Sequence, residues 1–394
     1  MHAVRILQKV LRPVSARLDA RNARNLFLAI EALVHGRRLT LMELARHWPG
    51  AQRVRAPLKR MDRFLGNRAV QALRVNFYEA TARWLLRSPH PVLIVDWSEL
   101  KSDGRWHLLR AGVTARGRTL TVYEEVHPEP KKNNAAVEAA FLRRLAALLP
   151  RGIRPIVITD AGFRVPWFRA VEALGWCWIG RVRHRTRLRW LATTRQNTWI
   201  YCKSLHPQAT ARARPLGNAE LTESNALRCR LVLVRRKRRG RIERTRYGTR
   251  ARGGHSRKMA RSATEPWLLA ASPALDELSA SAIVAMYARR MQIEQSFRDL
   301  KSHRYGCAFD DTLTRDSPRL EMLLLVHLLA SLAAWLAAVA ATPNTVASVC
   351  TLSLKRRYSL LWIGWACLRH DNTQSSGLPV FAPARLRELL TPAV

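Results

Sequence analysis

The chain has 394 residues, with 68 Lys and Arg against 28 Asp and Glu, a formal charge of +40. That length holds two or three domains and a sizeable core, and the positive excess raises self-repulsion that a soluble fold does not need. It points to a polyanionic partner, nucleic acid first, with a basic membrane-surface protein as the rival. Six scattered cysteines without a CxxC pair argue against a zinc site and a disulfide framework.

The first residues, MHAVRILQKVLRP, are basic and lack a long apolar run, so no signal peptide is expected. Residues 1–85 read as a helical domain. ARNARNLFLAIEALVHG carries apolar residues at helical spacing and ends at Gly36, and LTLMELARHWPG is a short helix with Thr40 as its N-cap. Short helices with Arg and Lys between the apolar positions fit a helix-turn-helix-like DNA reader and a plain helical bundle equally well.

From Pro91 the texture changes. PVLIVDWSEL opens with a continuous apolar run of buried-strand type, expected to end at Asp96. WHLLRAGVTARGRTLTVYEEV reads as two strands joined by an Arg-Gly-Arg turn, and NNAAVEAAFLRRLAALLP as an amphipathic helix. RPIVITDAGF is a second buried strand ending in an acid, Asp160; VPWFRAVEALG is a helix and WCWIGRVR a strand. This βββαβαβ order over residues 86–182 predicts a mixed α/β sheet with helices packed on it.

Residues 183–265 read as a β-rich insertion with a strongly basic tract, Arg235–Arg261. Such a tract binds DNA by charge neutralisation, with steep salt dependence. Residues 266–317 return to the core with the strand EPWLLAAS and one long helix from Ser279. Residues 318–394 are expected to be mostly helical. There Leu320–Ala341 approaches transmembrane length, but it carries Glu321 and His327 and stands alone in a highly charged chain. A buried core helix is the expectation.

The acids carry the chemistry. Phosphodiester cutting and joining by carboxylates uses divalent metal, and Mg²⁺ takes a few carboxylates plus water and phosphate. Acids at the ends of adjacent strands point into one cleft, and a third acid on a crossing helix completes a set: Asp96, Asp160 and Glu294. On one continuous helix at about 100° per residue, Tyr287, Arg290, Glu294 and Lys301 fall within a sector of about 60°. Met286, Ile293, Phe297 and Leu300 form an apolar stripe beside them, and Asp299 points away as a solvated acid. By itself the stripe also reads as ordinary helix ion pairing, because Arg290, Glu294 and Arg298 are spaced four apart.

VDWSEL, VITDAGF and the spacing Tyr-x2-Arg-x3-Glu-x6-Lys together resemble the DDE transposases of bacterial cut-and-paste insertion sequences. More narrowly they resemble the "insertion sequence four" family with its Tyr-Arg-Glu-Lys signature. The gaps of 64 residues from Asp96 to Asp160 and 134 from Asp160 to Glu294 fit that layout. The resemblance implies an RNase H-like mixed-sheet catalytic core interrupted by the β-rich insertion, with helical N-terminal and C-terminal domains. It implies Asp96, Asp160 and Glu294 as catalytic residues holding two Mg²⁺ ions, with Mn²⁺ as a substitute.

Tyr287, Arg290 and Lys301 would contact phosphates near the transposon end. Trp267 would stack on a flipped base while a DNA hairpin forms. Arg181 and Arg183, placed just past the core strand, are further candidate phosphate contacts. The implied partners are double-stranded DNA, as transposon ends and target, and a second copy of the chain. The protein would then be cytoplasmic and nucleoid-associated, with no membrane. Another RNase H-like nuclease, or an inactive DNA-binding repressor derived from a transposase, are the rival readings.

Overall fold

The structure is a computed structural model that describes residues 2–183, 186–191, 198–236, 249–254, 256–257, 264–304, 306–341 and 358–369, together with 344, 346 and 349. In chain order the described elements are α1 (His2–Ser15), α2 (Ala20–Gly36), α3 (Leu41–Arg46), α4 (Arg55–Gly66), α5 (Arg68–Leu85), β1 (Val92–Glu99), β2 (Trp106–Ala115), β3 (Arg118–Pro128), α6 (Ala135–Leu148), β4 (Ile156–Thr159), α7 (Val165–Ala173), β5 (Cys177–Val182), β6 (Arg187–Trp190), β7 (Ile200–Tyr201), β8 (Arg214–Leu221), β9 (Leu227–Val234), β10 (Trp267–Ala271), α8 (Ala280–Ala288), α9 (Met291–Lys301), α10 (Ser317–Ala340) and α11 (Leu360–Arg369). They fall into two compact units. One is built from Met1–Pro155 and Met291–Ala393, the other from Ile156–Arg290.

In the first unit, short polar side chains set the helix starts. Asp19 Oδ1 accepts from the Asn22 N–H at 2.8 Å and Thr40 Oγ1 from the Glu43 N–H at 3.2 Å. Asn67 and Asn134 cap α5 and α6 the same way, each accepting from two backbone N–H groups. The antiparallel strands run in the order β3-β2-β1. Arg116 and Gly117 join β2 to β3 with φ of 46° and 95°. Two successive positive φ values make the tight turn whose twist matches paired strands.

One row of this sheet is charged. The register sets Asp96 opposite Arg110 and Arg110 opposite Glu124, so all three side chains leave the same face. Arg110 and Glu124 are almost fully buried, and Arg110 Nε donates to Glu124 Oε2 at 2.6 Å. Tyr78 Oη of α5 donates to Glu124 Oε1 at 3.0 Å, and Arg74 Nη1 to the Glu124 carbonyl at 3.0 Å. The Arg110 guanidinium lies 5.1 Å from the Phe297 ring centroid of α9. A buried ion pair therefore ties two strands, α5 and α9 together.

The 24-residue α10 is long and apolar enough to cross a membrane, yet 89% of its most apolar window is buried against the rest of the unit. Its polar residues have partners. Glu321 accepts from the Val126 N–H at 3.0 Å and pairs with Arg74 at 3.0 Å. His327 is buried, with Nε2 3.5 Å from Ser331 Oγ. Gly364 of α11 meets α10 closely; a Cβ there would lie 1.7 Å from the Ala334 carbonyl oxygen.

In the second unit the strands run β4-β5-β10-β9-β8-β6-β7, with β4 and β5 parallel and the remaining pairs antiparallel. The βββαβαβ order is observed from β1 to β5. Residues 237–248 of the basic tract, and most of 255–263, lie outside the described residues.

Two expectations concern stability. Glu124→Leu leaves the Arg110 charge buried without its carboxylate, so urea denaturation should show a loss of about 3–5 kcal/mol; an unchanged midpoint would mean that the pair contributes nothing. Burial, then the Arg110 charge, holds the His327 imidazole down from 6.5 to about 3. Between those pH values the unfolded chain binds a proton that the folded chain does not, so stability falls as pH falls. The loss across that window is on the order of 5 kcal/mol. His327→Leu should flatten the profile of urea midpoint against pH from 6.5 to 3.

Candidate active site

Asp96 is buried and sits inside β1, three residues before its end, which corrects the expectation of a strand-terminal acid. The ladder to β2 continues past it through Glu99 opposite His107. Trp97, on the other face, donates from Nε1 to Glu138 Oε1 of α6 at 2.9 Å. Ser98 shares the Asp96 face by strand alternation. Lys301 Nζ, at the end of α9, donates to Ser98 Oγ and to the Glu99 carbonyl, both at 2.9 Å. Burial lowers the Lys301 pKa, while Glu99 and Asp96 oppose that shift and Arg110 adds to it.

Glu294 lies on α9, seven residues before Lys301, and so shares its helix face to within about 20°. At the other end of α9, Gln292 Oε1 accepts from the Ala115 N–H at 3.2 Å and Ser296 Oγ from the Thr119 N–H at 2.9 Å. These contacts run α9 diagonally from the β2–β3 turn towards the end of β1. Asp96, Glu294 and Lys301 thus belong to one surface of the first unit: the strand face carrying Asp96, and the helix face whose lysine touches Ser98.

The single long helix expected through Tyr287–Lys301 is corrected to two. Helix α8 ends at Ala288 and α9 begins at Met291. Between them, Arg289 N–H bonds Met286 O at 3.0 Å and Arg290 N–H bonds Tyr287 O at 2.9 Å, each three residues back. This tighter winding interrupts the 3.6-residue repeat. Phase carried across the break therefore does not hold. Tyr287 and Arg290 belong to the second unit, Glu294 and Lys301 to the first. Asp299 is not a solvated acid either: it is half-buried and paired to Arg118. Burial raises its pKa against the opposing pull of Arg118, Arg298 and Arg37.

In the second unit Asp160 directly follows β4. Its Oδ1 accepts from the Gly162 N–H at 2.7 Å. A Cβ at Gly162 would sit 2.9 Å from that oxygen, so glycine lets the turn close on the carboxylate. Trp267 and the buried Tyr287 meet here edge to face, with centroids 5.0 Å apart. Arg236 lies 5.3 Å from the Trp267 ring centroid.

Arg181 is within β5, not past it, opposite Leu269; Arg183 follows the strand. Arg183 Nη2 donates to Glu265 Oε2 at 2.5 Å, and Arg181 Nη2 to the Pro266 carbonyl at 3.3 Å. Burial lowers the Arg181 pKa, and Arg183 and Arg290 push the same way. Trp267, Tyr287, Arg181 and Arg183 form one aromatic and cationic patch at the edge of β5 and β10. Residues overlooked in the sequence are Arg110, Glu124 and Glu265. The first two had a signal: a charge inside an otherwise apolar strand run.

An α/β fold with acids on and just beyond core strands, in a strongly basic chain, is compatible with a nucleic-acid enzyme. A family model described as the transposase DDE domain matches residues 87–332, more than half of the chain and a span that contains Asp96, Asp160, Glu294 and Lys301. The chain belongs to the transposase DDE domain family, and its mixed α/β fold is consistent with an RNase H-like core. No curated protein matches it.

The three carboxylates supply the hard oxygen donors that a divalent cation takes, so the donor chemistry fits. Among the described residues no three His, Cys, Asp or Glu side chains gather at metal-binding spacing. The Lys301–Ser98 bond can be measured directly. A double-mutant cycle of Lys301→Met and Ser98→Ala, read by urea denaturation, should give a coupling of about 1–2 kcal/mol. Additive effects would mean that the Lys301–Ser98 bond adds nothing to the tie that Lys301 also makes to the Glu99 carbonyl.

Proposed function

We propose that this transposase works by cut and paste in the manner of the "insertion sequence four" group, with Asp96, Asp160 and Glu294 as its catalytic acids. The family match over residues 87–332, which spans all three acids and the Tyr-Arg-Glu-Lys spacing, carries this reading. Asp96, Asp160 and Glu294 would hold two Mg²⁺ ions. Such ions, when bound, activate the attacking oxygen and stabilise the leaving one.

In the proposed sequence water first breaks a phosphodiester at the transposon end and leaves a 3′-hydroxyl. That hydroxyl attacks the opposite strand, closing a hairpin and releasing the flanking DNA. A second water reopens the hairpin to a blunt end, whose 3′-hydroxyl attacks target DNA. Each step exchanges one P–O bond for another, and the leaving oxygen takes up a proton. A hairpin bends the strand sharply, and an extruded base stacked on Trp267 relieves that bend. The half-exposed position of Trp267, with Arg181, Arg183 and Tyr287 around it, supports this role. Tyr287, Arg290 and Lys301 would engage phosphates near the cut, the N-terminal helices would read the terminal repeat, and two copies would pair the two ends.

The test is cleavage of a labelled duplex carrying the element's own end, in Mg²⁺, by wild type and Glu294→Gln. Wild type should give nick, hairpin and blunt end. The variant should bind the end with unchanged affinity and cut at least roughly 1000-fold more slowly, a loss of ~4 kcal/mol in barrier lowering. Equal cutting by the variant would remove Glu294 from the catalytic set. Wild-type nicking without hairpin would favour a plain nuclease.

A further inference from the structure

The first unit contains a cavity of about 180 Å³ beside the C-terminal half of α9. Asp299, which lines it, is five residues after Glu294 and so about 140° around the helix. Its lining includes Arg37, Arg118, Arg298, Asp299, Tyr358 and Trp362. Arg118 is paired to Asp299, so the net positive charge of the wall comes from Arg37 and Arg298. Tyr358 and Trp362 are stacked, with centroids 4.0 Å apart and planes 16° from parallel, and both are half-buried.

We propose that this cavity is a nucleotide-binding pocket, in which the guanidiniums take a phosphate and the Tyr358–Trp362 pair takes a planar base. A planar guanidinium fork matches phosphate oxygens in pairs, and an aromatic face accepts any base by stacking. The cationic half of the lining does not suit a purely apolar guest. A bare anion would leave the aromatic pair unused and would face Asp299.

Backbone geometry adds an independent sign. Arg37 ends α2 with φ of 56° and ψ of 14°, the left-handed position that helix ends usually fill with glycine. Its N–H still caps Leu33 O at 2.8 Å, so the turn itself needs no arginine side chain. An arginine kept where glycine is favoured is a strained residue of the kind that clusters at ligand sites. Glycine is used nearby instead, at Gly306, where a Cβ would lie 2.2 Å from the Asp299 carbonyl oxygen. That approach lets the following loop close one wall of the cavity against the end of α9.

The pocket uses none of the three acids, so its test needs neither cleavage nor metal. Equilibrium binding of dAMP, deoxyadenosine and inorganic phosphate to the full chain is measured in metal-free buffer. One dAMP should bind per chain, roughly tenfold tighter than either fragment, the margin expected when stacking adds to phosphate contacts. Arg298→Gln and Trp362→Leu should each weaken dAMP by roughly tenfold. Tyr358→Leu provides a second aromatic variant should Trp362→Leu melt early by circular dichroism. A single-stranded oligonucleotide with a terminal 5′-phosphoadenosine then separates the sources. Displacement of dAMP assigns the pocket to a DNA strand end, and failure to displace it assigns the pocket to free mononucleotide. Phosphate binding as tightly as dAMP, or folded variants within about twofold of wild type, would overturn the proposal.

Discussion

The first unit is organised around one desolvated ion pair. Arg110 and Glu124 lie opposite each other on neighbouring strands, almost without solvent. Each such charge is expensive to bury, and Glu124 is held by further hydrogen bonds besides the one from Arg110. Tyr78 and the Glu124 carbonyl's bond to Arg74 bring in α5, and the Phe297 ring under the guanidinium brings in α9. Asp96 is the next residue along the same row. Asp96, the carboxylate we propose as catalytic, thus stands beside a fixed positive charge on a strand that cannot slip register without breaking the row.

How much of this was legible in the sequence depended on the reach of each signal. Local signals held well. The Thr40 cap, the end of α2 at Gly36, a turn within Arg116–Arg118 (two residues long, since Arg118 already opens β3) and the strand–helix order from β1 to β5 all depend on neighbours within a few residues. Glu321 and His327 of α10 were visible, and they do find partners in a buried helix.

Signals that depend on a partner strand or helix were harder to read. The apolar run ending at Asp96 marked where burial changes, but β2 continues the ladder to Glu99. Helical phase from Tyr287 to Lys301 assumed unbroken winding, and no glycine or proline marks the turn at Arg289 and Arg290. Asp299 looked solvated because its partner, Arg118, is far away in sequence. Of the candidate site, the residue types and their strands were legible. Lys301 on Ser98 and Trp267 against Tyr287 were not, since both are tertiary contacts.

The division of the chain has a consequence for biosynthesis. The second unit is one uninterrupted stretch, Ile156–Arg290, whereas the first is assembled from two stretches that flank it. Strands β1–β3 leave the ribosome well before α9 and α10, the helices that pack on them. At a typical ~5–20 residues per second, the roughly 200 residues between β3 and the end of α10 leave that sheet without α9 and α10 for about 10–40 s. During that interval the inserted unit can complete its own folding while the apolar face of the earlier strands waits for its helices. Nascent-chain vulnerability is therefore concentrated in β1–β3 rather than in the later-made helices, and a holdase would have most to do there.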